Sequence, residues 1–136
     1  MPFKVSWYIP RVAWCYVWGT YTAEELKDSA AQGQELVRVG TPLVHDLIDM
    51  RHMIEYPKNL RDIIQLTPIF KEPNLGWVVV LTDDKMVRFL SHAVTSISKV
   101  RLRTFTDPQE ALDFLARMDE TLPPLPAYKE PAAKER

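Results

Sequence analysis

Cysteine occurs once in this 136-residue chain, as Cys15. An internal disulfide framework is therefore excluded, and a lone thiol suits a reducing, cytoplasmic setting. Only four glycines are present, which leaves little material for a phosphate-cradling loop, and no G-x-S-x-G elbow or H-E-x-x-H pair occurs. Charge of one sign is lacking too: 17 lysines and arginines stand against 18 acidic residues. That balance removes the general electrostatic case for nucleic acid or an anionic membrane. No apolar run approaches membrane-spanning length, and MPFKVSWYIP lacks the continuous apolar stretch of a signal peptide. A soluble cytoplasmic protein is the expectation.

What the chain does have is core-forming material, with 46% hydrophobic residues. At this length one domain buries about two thirds of the surface of its unfolded chain. Residues 3–9 and 12–18 each alternate with period two, which predicts two strands. Closed as a hairpin at Pro10 and Arg11, they would set Ile9 against Val12, Trp7 against Trp14, Val5 against Tyr16 and Phe3 against Trp18. All the large apolar groups would then share one sheet face. Proline cannot take the positive φ of a type I′ turn, so the loop is free to be wider.

Thr22-Ala23-Glu24-Glu25 spells a capping box. Leu26, Ala30, Gly33 and Val37 follow at helical spacing until Gly40, and Gly33 suggests a close approach to the sheet. Residues 43–50 form a third strand. Tyr56, Pro57, Lys58 and Asn59 open a shorter helix with proline in its first turn. Gly76 to Leu81 is the apolar run of a central strand covered on both faces. Thr82, Asp83 and Asp84 cap the next helix, a short strand covers 100–105, and Asp107 with Pro108 starts the last helix. The order β-β-α-β-α-β-α-β-α implies an α/β (α+β) fold, a mixed sheet layered with helices. Residues 1–118 form the single domain. Residues 119–136, with Pro123, Pro124, Pro126 and Pro131, read as a proline-rich flexible extension. Leu122 to Pro126 offers a proline-recognition groove a ligand, against the plainer reading of a mobile tail.

Candidate chemistry centres on LVHDLIDMRH, residues 43–52. In a strand His45, Leu47 and Asp49 share one face and Asp46 and Ile48 the other. His45 and Asp49 then stand about 13 Å apart, too far to chelate one zinc ion. Asp49, Arg51, His52 and Tyr56 lie at the strand's C-terminal end, where α/β crevices collect ligands. The competing reading pairs Asp49 with Arg51 and leaves His45 as a satisfied core histidine. Trp7, Trp14, Tyr16 and Trp18 form an aromatic cluster suited to a core, an apolar pocket or a dimer face. Cys15 packs on the small-residue face, His92 falls on a solvated helix face, and Lys99, Arg101 and Arg103 protect an edge strand.

The segments "WGTYTAEE", "PLVHDLIDM", "LGWVVVLTDD" and "FTDPQEALDFL", with the element order, resemble the anti-sigma-factor-antagonist (STAS) type of domain, in particular its SpoIIAA-like branch. The resemblance spans residues 3–118. It implies a small cytoplasmic regulatory or protein-interaction module without catalysis, and related folds carry apolar ligands. Members place a phosphorylatable serine or threonine after the central strand. Here residues 51–66 hold neither, and Tyr56 is the only hydroxyl. The expectation is a non-enzymatic homodimeric module with an unknown protein partner, without cofactor or metal. Its alternative is a carrier of a small apolar ligand such as a lipid, lined by Trp7, Trp14 and Trp18.

Overall fold

The computed structural model describes residues 2–131. Strands β1 (Phe3–Ile9) and β2 (Val12–Thr20) lead into helix α1 (Ala23–Val39), then β3 (Val44–Glu55) and α2 (Leu60–Leu66). A 3-10 turn, Pro68–Lys71, precedes β4 (Leu75–Leu81), α3 (Lys85–Ser98), β5 (Leu102–Phe105) and α4 (Pro108–Met118). The sheet order is β1-β2-β3-β4-β5. Only β1 and β2 pair antiparallel; the other neighbours run parallel. The mixed sheet and the element order are those the sequence implies. No helix among the described residues is long and apolar enough to cross a membrane.

The helices start where the side chains can cap them. Thr22 and Glu25 close both halves of the capping box on α1. Asp84 Oδ1 accepts from the Met86 amide at the start of α3, and Asp107 from Gln109 at the start of α4. Asn59 caps α2, so Pro57 lies outside that helix rather than in its first turn. Gly33 approaches Ile69 of the 3-10 turn, not the sheet.

The hairpin register differs from the simple alternation. Trp7 faces Ala13, Ser6 faces Trp14, Val5 faces Cys15 and Lys4 faces Tyr16, with a bulge between Trp7 and Ile9. Arg11 carries the positive φ of the turn, +76°, after Pro10, the arrangement of a type II turn. The extra residue, Tyr8, reverses the inside–outside order of β1 relative to β2. The large aromatics therefore divide between the two sheet faces.

Those faces have different covers. Ala13, Val37, Val78, Val80, Val87 and Val94 pack one layer, beneath α1, α2 and α3. Val12, Leu47, Val79, Leu81, Leu112 and Phe114 pack the other, beneath α4. The run from Gly76 to Leu81 alternates between the layers, which is why it needs apolar residues at every position. At the sheet's far edge Arg103 lies over Phe114, 4.9 Å from the ring centre.

Candidate functional site

Residues 119–131, expected to trail from the domain, lie across the α4 face of the sheet; residues 132–136 lie outside the described residues. Tyr8 donates to the carbonyls of Pro126 and Ala127, both at 2.9 Å. Its ring stacks on Tyr128 with centroids 6.1 Å apart. The Tyr128 hydroxyl donates to Asp49 Oδ2 at 2.6 Å and accepts from the Trp14 indole at 3.1 Å. Prolines hold this segment extended, which leaves its side chains free to reach down to the strands.

Asp49 is fully buried and its carboxylate is fully engaged. Arg51 grips it with two bonds, Nε to Oδ1 at 3.0 Å and Nη2 to Oδ2 at 2.7 Å, and also reaches Glu130. Burial alone would push the Asp49 carboxyl up, but bonds from Arg51 and Tyr128 outweigh it and hold it below 3.8. His45 is occupied as well. The Trp77 amide donates to its Nδ1 at 2.9 Å, so Nε2 carries the proton and donates to Asp119 at 2.8 Å. Asp119 is in turn paired with Arg11 at 2.7 Å. These groups tie the C-terminal segment to the sheet.

Tyr128→Phe should therefore lower the stability of the fold by about 1–2 kcal/mol, because Asp49 and Trp14 both lose a buried partner. Urea unfolding followed by tryptophan fluorescence measures this. An unchanged midpoint would show that the segment does not rest on the sheet in solution.

The three tryptophans do not line one pocket. Trp7 stands beside Gly40 at the end of α1, Trp14 lies beneath Tyr128, and Trp18 stacks on Tyr16 with centroids 5.1 Å apart. The rings of His52 and Tyr16 meet nearly at right angles with centroids 5.8 Å apart, and the buried Nδ1 of His52 has no hydrogen-bond partner among the described residues. Among the described residues no hydrogen bond joins it to the carboxylate of Asp49, which is held by Arg51 and Tyr128. An acid–base pair built from Asp49 and His52 is not assembled. Tyr56 donates to Asp84 at 2.7 Å, and with Arg51 it borders an open groove beyond the strand ends.

A cavity of about 120 Å³ lies on the opposite face, between the sheet and α1, α2 and α3. Its wall is mostly apolar, with Met50, Met53, Ile63, Phe70, Val80 and Leu90 among the lining residues. Tyr56 borders both this cavity and the groove, as do Met50, Met53 and Val87. The cavity's polar wall is small. Tyr21 and Ser29 share a hydrogen bond, and the Thr67 hydroxyl donates to the Ile63 carbonyl at 2.6 Å.

Asp46 stands apart from these satisfied groups. It lies on β3 between Ala13 of β2 and Val78 of β4, is 5% exposed, and lines the cavity. Burial raises its carboxyl to about 7. The same carboxyl, after burial itself, helps push the neighbouring Cys15 thiol up, so Cys15 is held as a neutral packing group. Asp46 is the functional candidate that strand-end reasoning passes over. Its signal in the sequence is an acidic residue on the same strand face as Ile48, in the middle of an apolar strand. Among the described residues no group of three His, Cys, Asp or Glu side chains is arranged to hold a metal ion.

No protein-family model and no curated protein matches the chain. Solved structures similar to it include the following two. One is an uncharacterized protein of the DUF3478 family with a SpoIIAA-like fold from Shewanella loihica PV-4. It has a TM-score of 0.63 at 14% identity, over 83% of this chain and 93% of that one. The other is the anti-sigma factor antagonist SpoIIAA in its unphosphorylated form, with a TM-score of 0.56 at 10% identity, over 85% of this chain and 96% of that one. At such identities the likeness is one of backbone architecture, and the chain is a domain of SpoIIAA-like fold.

Proposed function

We propose that this chain is a non-enzymatic binding module of the cytoplasm, and that what it binds is a small apolar molecule held between the sheet and α1, α2 and α3. The cavity carries the reading. Interiors normally pack to the density of organic crystals, yet here an apolar space of about 120 Å³, partly open to the surface, persists between the sheet and α1, α2 and α3. An apolar cavity of about 150 Å³ is enough to take up benzene. This space supports the alternative drawn from the sequence, a carrier of a small apolar ligand, with Met50, Met53 and Phe70 as walls in place of Trp7, Trp14 and Trp18. Asp49 and Arg51 serve in this reading as the anchor for the C-terminal segment.

The test is thermal unfolding with ethylbenzene as the probe. At about ten times its Kd, it should stabilise the fold by about 1.4 kcal/mol. Filling the space with Ala30→Phe should abolish the response. A wild-type protein whose melting is indifferent to ethylbenzene would sink the reading.

A protein-interaction role has its own support in the exposed apolar groups of α3, where Phe89 is 66% and Ile97 58% exposed. A homodimer or a separate regulatory partner would cover them. Serine or threonine phosphorylation after β3 has no place in this proposal, because residues 51–66 contain neither residue.

A further inference from the structure

Two side-chain groups on β3 stand without a hydrogen-bond partner among the described residues, the Asp46 carboxyl and the Nδ1 of His52. Asp46 sits on the central strand of the five, flanked by Ala13 and Val78, and no hydrogen bond reaches its carboxyl among the described residues. A buried carboxyl without a partner carries a large desolvation cost. Replacing it with an apolar residue would remove that cost, so its presence at this point asks for a binding role.

The geometry points to a head-group site: Asp46 receives the ammonium group of a small amine whose apolar body fills the cavity between the sheet and the helices. This rests on the ligand-binding reading above and adds the ligand's chemical class. The charge inventory decides in favour of a cation. Among the described residues no lysine, arginine or histidine lines the cavity, and its ionisable groups are Cys15, Tyr21, Asp46 and Tyr56. None of these becomes positive. A fatty acid or other carboxylate would bring a second negative charge beside Asp46, whereas an ammonium group supplies both a counter-charge and hydrogen-bond donors.

The approach has the same sign. The groove that shares Met50, Met53 and Tyr56 with the cavity is bordered by Asp83 and Asp84. Its one arginine, Arg51, is already tied to Asp49 and Glu130. Lys58 stands over the Tyr56 ring at 4.3 Å but is paired with Glu55, so the carboxylates of Asp83 and Asp84 leave the rim favouring a cation over an anion. The space admits a body of about one aromatic ring.

Three probes of nearly equal shape test this on the whole chain: phenethylamine, hydrocinnamate and ethylbenzene, titrated calorimetrically at neutral pH. Phenethylamine should bind at least about tenfold more tightly than ethylbenzene, the worth of one charge-assisted bond. Hydrocinnamate should bind more weakly than either. In Asp46→Asn the advantage of the amine should vanish while ethylbenzene binding persists. The wild-type series stands by itself should that variant fail to fold. Ethylbenzene binding with no preference for the amine would overturn the head-group site and leave the cavity reading intact. Failure of all three probes would overturn both.

Discussion

Asp46→Asn should make the protein more stable at neutral and alkaline pH, by on the order of 3–4 kcal/mol. Burial raises the Asp46 carboxyl from 3.8 to about 7. The unfolded chain therefore releases this proton near pH 4, and the folded chain holds it until about pH 7. A raised carboxyl favours the folded state only in its protonated form. Stability is thus intact below pH 3.8 as far as this group is concerned, and is lost progressively as pH rises to about 7. Asparagine has nearly the shape of the protonated acid and cannot ionise, so the loss disappears. Urea unfolding of wild type and variant should give similar free energies near pH 4 and diverge up to about pH 7. His45 acts in the opposite sense. Burial holds its imidazole below the ordinary 6.5, so its contribution is lost as pH falls below 6.5. A variant no more stable than wild type at pH 8 would mean that water or another group already solvates Asp46. A gain in stability together with the loss of amine binding would mark Asp46 as a residue kept for its ligand.

Gly76→Ala should cost on the order of 3 kcal/mol or more. A methyl group at this position would overlap the imidazole of His45 and press on Leu43. The ring has nowhere to retreat. Its Nδ1 is held by the Trp77 amide, the residue next to the glycine, and its Nε2 by Asp119. Moving the ring breaks both bonds and releases Asp119, through which Arg11 and the start of the C-terminal segment are held. Urea unfolding gives the size of the effect, and a double-mutant cycle gives its origin. Removing the imidazole in His45→Ala should make the added methyl far less harmful, so the two changes should be strongly non-additive. Simple additivity would place the strain elsewhere.

Local signals were legible because local chemistry produces them. Thr22 with Glu25, Asp84 and Asp107 each cap the helix that their spacing announces. The run from Gly76 to Leu81 announces a strand covered on both faces, and both layers claim alternate residues of it. The hairpin register was not legible. One bulged residue at Tyr8 moves Trp7 opposite Ala13 instead of Trp14, and the period-two spacing of apolar residues in the sequence does not announce where a bulge interrupts it. The pairing of Asp49 with Arg51 is a two-residue relation, visible in the sequence as one of its readings. Their partners Tyr128 and Glu130 lie 79 residues away from Asp49 and Arg51 respectively, and proline-rich composition alone conceals such contacts.

The sequence by itself therefore determined the elements, their order, the mixed sheet and the exclusion of a disulfide framework. Each follows from caps, periodicity and composition within short stretches of chain. The tertiary structure alone decided which face each aromatic occupies, where the C-terminal segment lies and which carboxylate is left without a partner. Asp46 and Asp49 are both aspartates on one apolar strand, three positions apart. The difference between them is what stands opposite: Arg51 and Tyr128 over Asp49, and an apolar cavity over Asp46. That difference arises only when distant segments close over the two faces of the sheet, since it is desolvation and the partners brought with it that set the chemistry of a buried charge.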